Sequence, residues 1–446
     1  MSASFIVVAL GLVVAAADAG GVRLSARGGG GVVGGDGVGV VEVGVGVDSA
    51  PLSLHLRAPL LLRVVDLPPT AATSSCRPVR CDEWTDARGA FAPASTLRVL
   101  DELRLFQPGD LLHLRAGRLV AGLGAGAVVD RVTTMASWDR RTAGAWGALR
   151  AIPLSLAIDT FVADVTAPWE LAGARVSLRP TPLPIVVGAD VAADVAAPLD
   201  PDAIDARGDV AAGAESRAVV AGVVDAHVPL DVGPLSVSPR LELGVTSGLA
   251  RDGRADEVVA VGVGGGADVG FDAGFFDVVG RAVVGVGSAG HRRGLFSTFH
   301  LVERRRALAG SVVDGGGLVH VPAPGGVCTD LRLQASVLDA VSPFARLHLE
   351  AAPGANLAEL GIAIDIVDVS ASASVLRRGF VDVGGVLDGN VGARPVIVVL
   401  EAGWRFFGPL SASVRWFRLP RFAPGGVVFD DDVLVTLSID TTLTRR

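Results

Sequence analysis

The chain has 446 residues, half of them apolar and 19% charged, with a formal charge of -8. It holds 58 glycines and 25 prolines, a density that excludes long helices, and its acidic balance with no basic face argues against a nucleic-acid partner. After the first 19 residues no apolar run reaches the roughly 20 residues of a spanning helix, so a helical membrane protein is excluded as well.

The chain begins "MSASFIVVALGLVVAAADAG", an apolar core from Phe5 to Ala17 ending in the small-x-small triplet Ala17-Asp18-Ala19. This is the pattern of a signal peptide spanning residues 1–19 and cleaved before Gly20. No Leu-x-x-Cys lipobox follows it. Residues 20–50 include "GGGGVVGGDGVGVVEVGVGVD", which suits a flexible leader, an extra strand or an inward-tucked segment, and is left unassigned. The remainder, 51–446, reads as one domain, with no Pro/Ser linker to divide it.

Cys76 and Cys81 lie in a polar stretch at 67–95. In an exported chain that spacing favours a local disulfide over a metal site, and Cys328 is then left over.

Alternation carries the fold reading. In "VLVTLSIDTTL" (433–443) the odd positions Val433, Val435, Leu437 and Ile439 share one face, while Thr436, Ser438 and Asp440 share the other. The same period recurs in "LSLAIDTFVAD" (154–164), "RLELGVTSG" (240–248), "LRLQASVLD" (331–339) and "LAELGIAIDIV" (357–367). Tight turns are expected at 151–153, 180–184, 233–234, 272–274, 342–343 and 408–409. Longer polar connections separate them at 165–170, 197–216, 250–256, 289–327, 352–357, 379–394 and 420–431.

Short connections alternating with long ones are the rhythm of an up-and-down barrel. The expectation is therefore an all-β fold, a single antiparallel transmembrane β-barrel with short periplasmic turns and long outer loops. About fourteen strands follow Leu154, and runs near 54–66, 96–106, 110–119 and 143–150 raise the total to about 16–18.

A barrel wall needs amphipathic rings at its two water–lipid boundaries. Trp404, Phe406 and Trp416 in "WRFFGPLSASVRWF" (404–417) are the expected girdle residues. Counted from the Gly408-Pro409 turn, Trp416 is expected about 18 Å above it.

The segments "CDEWTD" (81–86), "PGDLLHLRAGRL" (108–119) and "GLGAGAVVDR" (122–131), followed by hairpins to the end, resemble the large, mostly uncharacterised porin-like outer-membrane β-barrel proteins of Gram-negative bacteria with high-GC genomes. The likeness spans most of the chain in rhythm and about fifty residues in motif. It implies location and fold but no reaction. Two departures stand out: Ala125 occupies the place of a histidine in the family's turn, and the terminal "TLTRR" lacks the aromatic of the usual assembly signal.

On the same alternation, the polar side chains expected to line a lumen are Arg98, Glu102, Arg104, His113, Arg115, Asp159, Arg240, Glu242, Arg332, Gln334, Arg346, His348, Glu350, Arg405, Arg415 and Asp440. They either set selectivity or pair to stiffen the wall. The basic stretch "HRRGLFSTFHLVERRR" (291–306) reads as an outer loop whose arginines suit lipopolysaccharide phosphates or acidic neighbours.

"GLGAGA" (122–127) opens no helix in a strand–helix–strand unit, so a phosphate cradle is not expected. The histidines are too irregularly spaced for zinc, and no Gly-x-Ser-x-Gly or His-Glu-x-x-His is present. No enzyme, cofactor or metal is expected. The reading is an outer-membrane barrel, either a passive porin-like channel for small hydrophilic solutes or a structural component in contact with outer-membrane lipid. The competing reading is a secreted or periplasmic all-β binding or adhesive protein without a lumen.

Overall fold

The computed structural model describes residues 21–33, 36–49, 52–65, 99–106, 110–124, 126–129, 131–134, 142–151, 155–180, 183–198, 216–251, 254–291, 293, 295–296, 325–351, 356–380, 396–423 and 426–443. The expected signal peptide, the Cys76–Cys81 pair and Arg98 lie outside the described residues.

All regular structure among these residues is β. The strands are β1 (Gly21–Val33), β2 (Asp36–Asp48), β3 (Leu52–Val65), β4 (Leu100–Leu105), β5 (Leu112–Gly117), β6 (Val120–Ala121), β7 (Val132–Thr133) and β8 (Gly144–Ala151). They continue with β9 (Leu156–Val162), β10 (Ala172–Leu178), β11 (Val186–Pro198), β12 (Ser216–His227), β13 (Leu230–Val232), β14 (Leu235–Arg251), β15 (Arg254–Asp272) and β16 (Phe276–Gly287). The last are β17 (Gly326–Val337), β18 (Val341–Leu349), β19 (Leu357–Ile366), β20 (Val369–Arg378), β21 (Val396–Phe407), β22 (Leu410–Ala423) and β23 (Gly426–Leu443).

Each strand pairs antiparallel with its neighbour in sequence, except that β8 follows β5 and that β12 and the short β13 together face β14. The last strand returns to the first, with Val22 opposite Leu443 and Val32 opposite Val433. The wall is thus a closed ring of 20 staves, and β6 and β7 form a separate two-residue ladder. Closure leaves no open edge, as a sheet in lipid requires.

The count exceeds the expected 16–18 because the Gly/Val-rich segment supplies β1 and β2, the two staves at the seam. Glycine is required there. A β-carbon on Gly29 or Gly31 would overlap the carbonyl oxygens of Val435 or Val433 on β23.

Two expected long connections are also strand. β14 and β15 run on to Arg251 and Arg254, and β22 and β23 to Ala423 and Gly426, leaving two-residue connections at 252–253 and 424–425. Ser342-Pro343 is not a turn: both residues lie inside β18, and the chain reverses at 338–340, where Leu338 and Asp339 hold φ of 53° and 54°. A further tight turn, unexpected from sequence, falls at 367–368, between β19 and β20.

The outward face is apolar. On β15, Val259, Val261, Val263, Val269 and Phe271 are 41–63% exposed, and Leu241, Leu243 and Val245 match them on β14. From Val259 to Phe271, at about 3.3 Å per residue and a tilt of about 40°, this belt is about 30 Å tall. The inward face is where the buried charge sits, at Glu42, Arg175, Asp190, Asp225, Glu242, Asp330 and Glu359. Apolar outside and polar inside inverts the order of a soluble sandwich, and matches a wall with lipid around it.

Candidate functional site: the lumen

The ladder registers define one inward face around the wall. Arg104 stands opposite Arg115, Arg115 opposite Trp146, Asp159 opposite Arg175, Asp225 opposite Glu242, and Arg332 opposite Arg346. Arg346 in turn faces Glu359, Glu401 faces Arg415, and Arg405 faces Ser411. All expected lumen residues within described strands fall on this face. Glu350 follows β18 directly and meets His348 Nε2 at 2.8 Å. These residues do not form one cluster. They divide between two arcs, with Glu102, Arg104, His113, Arg115 and Asp159 on the staves between.

In the first arc, β10 to β18, the charges neutralise one another. Arg175 donates to Asp190 at 2.7 Å and to Asp225 at 2.6 Å. Arg240 donates to Asp268 at 2.8 Å, and Arg281 reaches the same carboxylate. Asp330, fully buried, gathers Arg332 at 2.8 Å, Arg293 at 3.2 Å and Arg346 at 3.6 Å. Arg293 also pairs with Glu242.

The described parts of two connections fold inward over this arc. The one between β5 and β8 places Ala121, Leu123, Val128 and Val129 against the inward wall residues Phe161, Ala192, Ala221 and Val223. The one between β16 and β17 adds Leu295 and Phe296 to that cluster. A parallel bridge joins Val129 to Phe296, and Arg332 donates to the Gly126 carbonyl at 3.0 Å. The start of the basic stretch 291–306 therefore lies inside the barrel: Arg293 is buried, and Phe296 is fully so. His300 and Arg304 to Arg306 lie outside the described residues.

The second arc, β19 to β23 and on through β1 to β3, lines a cavity of about 670 Å³ at the end where Val22 pairs with Leu443. Arg23, Arg27, Arg57, Arg405, Asp365, Asp368 and Asp440 face it, among Ser25, Ser370, Ser411, Ser413 and Ser438. The hydroxyls pair across strands, Ser411 with Ser438 at 2.6 Å and Ser413 with Thr436 at 2.7 Å. Arg57 meets Glu42 at 3.1 Å and Arg23 meets Asp48 at 3.5 Å. Toward the other end the same arc turns apolar, with Leu357, Leu376, Ile397, Phe417 and Leu434 packed together.

Outside this arc, Trp404 is 58% exposed with Phe406 beside it at 5.6 Å, and Trp416 Nε1 donates to Asp431 at 3.0 Å. Trp416 pairs with Leu400, only four residues from Trp404. The two tryptophans are therefore about 10 Å apart in height, less than the height of about 18 Å by which Trp416 clears the turn. Trp404 is itself four residues from the turn, which the count from Gly408 omitted.

Sequence reasoning read Arg293 as part of an outer loop and passed over the strand charges Arg23, Arg27, Arg57, Arg175, Asp190, Asp225, Asp268, Arg281 and Asp330. Their signal is present but faint: a single charge in the middle of a Val/Ala/Gly strand, at inward parity.

A closed antiparallel ring with an apolar belt and a charged interior defines a membrane-spanning β-barrel. No family model matches the chain, and no curated protein does. Among solved structures, the chain is similar over 96% of its length to three Pseudomonas aeruginosa proteins. They are the outer membrane protein OpdK (10% identity, all of that chain, TM-score 0.35), OccK5 (OpdH) (10%, 99%, 0.38) and OccK2 (OpdF) in complex with glucuronate (12%, 99%, 0.35).

Proposed function

We propose that the chain is an outer-membrane β-barrel that gives small hydrophilic solutes a passive route through a narrowed, charged lumen. One observation carries this reading: a 20-stave closed wall that is apolar over about 30 Å outside and charged within. Residues 1–19 then act as the export signal, both ends of the mature chain face the periplasm, and the long connections face outward. Lipid, lipopolysaccharide included, is the partner of the belt and of its rim at Trp416, Arg418 and Asp431. Cavity-facing Arg23, Arg405, Asp365 and Asp440 act on passing solutes, and the paired charges of the first arc hold the inward connections.

A second reading, a structural barrel without flow, is favoured by the apolar cluster that fills part of the interior. The test is fractionation of cells expressing the full chain, gel mobility with and without heating, and planar-bilayer conductance. Outer-membrane recovery with heat-modifiable mobility and discrete conductance steps is the expected result. The same recovery with no conductance favours the structural barrel. Recovery in the soluble periplasm or the medium overturns both and leaves the adhesive β-protein.

A further inference from the structure

The side chain of His291, on the connection between β16 and β17, occupies a recess in the inner wall that three glycines leave open. A β-carbon on Gly244 of β14 would stand 2.6 Å from the imidazole Cε1, and one on Gly287 of β16 would stand 2.8 Å from Cδ2. A β-carbon on Gly262 of β15 would overlap the ring outright. Thr246 Oγ1 lies 3.4 Å from Nδ1. Any larger residue at these positions would close the recess.

The stretch around His291 is pinned at several points. The Ser288 N–H donates to the Val261 carbonyl at 2.8 Å, and the His291 N–H to the Ser288 carbonyl at 3.0 Å. Arg293 is held by Glu242 and Asp330. The Phe296 N–H donates to the Val128 carbonyl at 3.2 Å, which joins the two inward connections. Of these pins, the guanidinium and the backbone groups keep their protonation between pH 5 and 8, whereas an imidazole changes charge in that range.

We propose that His291 is a pH-operated latch: neutral, it seats in the glycine recess and holds both inward connections over the first arc; protonated, it leaves the recess and frees them, widening the lumen. The widening rests on the channel reading above, whereas the latch itself does not.

Burial favours the neutral ring, and it holds the His291 imidazole below the usual histidine range. Of the ionisable groups packed around it, Glu350 at the end of β18 attracts an imidazolium, while His348 repels one when charged. Glu242 on β14 and Asp330 on β17 are engaged by Arg293, and the Cys328 thiol on β17 borders the same pocket. The released state binds more protons than the latched state. The latch therefore holds above about pH 6.5 and weakens as pH falls through its lowered value.

The test is hydrogen–deuterium exchange on the full-length barrel in detergent, followed in the peptide covering 288–296 from pH 8 to pH 4.5 and corrected for intrinsic rates. Expected is constant protection at high pH and a loss of about tenfold per pH unit once His291 titrates. His291→Gln, which carries no titrating ring, should keep its protection flat; His291→Asn serves if that variant does not fold. Gly262→Ala should lose protection at every pH.

Wild-type protection that stays flat to pH 4.5, or that falls equally in His291→Gln, overturns the latch. Conductance recorded in parallel should rise with acidification in the wild type alone. Loss of protection in a barrel that conducts at no pH sustains the latch and removes the channel instead.

Discussion

The two arcs of the wall use the same inward parity for opposite ends. From β10 to β18 the arginines of the wall donate to carboxylates or, for Arg332, also to a backbone carbonyl, and apolar segments cover the result. From β19 through β23 to β3, Arg23, Arg405, Asp365 and Asp440 border an open volume and share it with serine hydroxyls. Charge that is paired and covered contributes to the stability of the barrel. Charge that faces a cavity contributes mainly to the field a solute meets. The variants below test whether this division holds.

Asp330→Ala carries the largest expected effect. It withdraws the carboxylate shared by Arg293, Arg332 and Arg346, and leaving buried charge without its partner costs about 3–5 kcal/mol. A urea titration of the barrel folded into vesicles should show a clear drop in midpoint. Asp440→Ala, on the cavity arc, should stay within about 0.5 kcal/mol of the parent. Equal losses in the two variants would break the comparison.

Next in size is Val263→Arg at the middle of the belt. An arginine on a lipid-facing strand costs about 2–4 kcal/mol at the midplane. In an adhesive sandwich, a residue 60% exposed to water would accept the same change at almost no cost. Insertion efficiency and the urea midpoint in vesicles separate these outcomes.

The seam comes third. Gly31→Ala forces a methyl against the Val433 carbonyl of β23 and should cost about 1–3 kcal/mol, whereas Gly28, with open space around its α-carbon, should accept alanine. A seam elsewhere in the ring would make the two variants alike.

Legibility in the sequence followed the contrast between faces. β23 was readable because Val435, Leu437 and Ile439 alternate with Thr436, Ser438 and Asp440, so every second residue differs in kind. β1 and β2 were not, because glycine holds inward positions such as Gly29 and Gly31 next to outward glycine and valine, and a missing side chain has no polarity to read. Turns with Gly408-Pro409 or Asp272-Ala273-Gly274 announced themselves. The reversal at 338–340 did not, because Leu338 and Asp339 adopt the left-handed region without glycine.

The site divided in a similar way. Its parity was legible strand by strand, but the partner of Arg175 is Asp225, fifty residues away, and Arg293 enters from a connection. Pairing of that kind depends on closure and on which connections fold inward, and neither is a local property.

The smallest stability change and the clearest functional one are both expected at Arg405. It is exposed on the cavity arc, inward on β21 opposite Ser411, and no packed segment covers it among the described residues. Arg405→Gln keeps most of the side-chain volume and removes one positive charge from the cavity, so the urea midpoint should move by less than about 0.5 kcal/mol. The potential there becomes more negative, and the reversal potential in a KCl gradient should shift toward cation preference. High salt should shrink that shift, because screening shortens the reach of a single charge to about 3 Å at 1 M. Arg175→Gln provides the opposite control. Buried between Asp190 and Asp225, it should lower the midpoint strongly, while the cavity itself, on the other arc, loses no charge. If Arg405→Gln instead unfolds the barrel and leaves the reversal potential unchanged, the cavity charges stiffen the wall, and the structural barrel becomes the better account of the molecule.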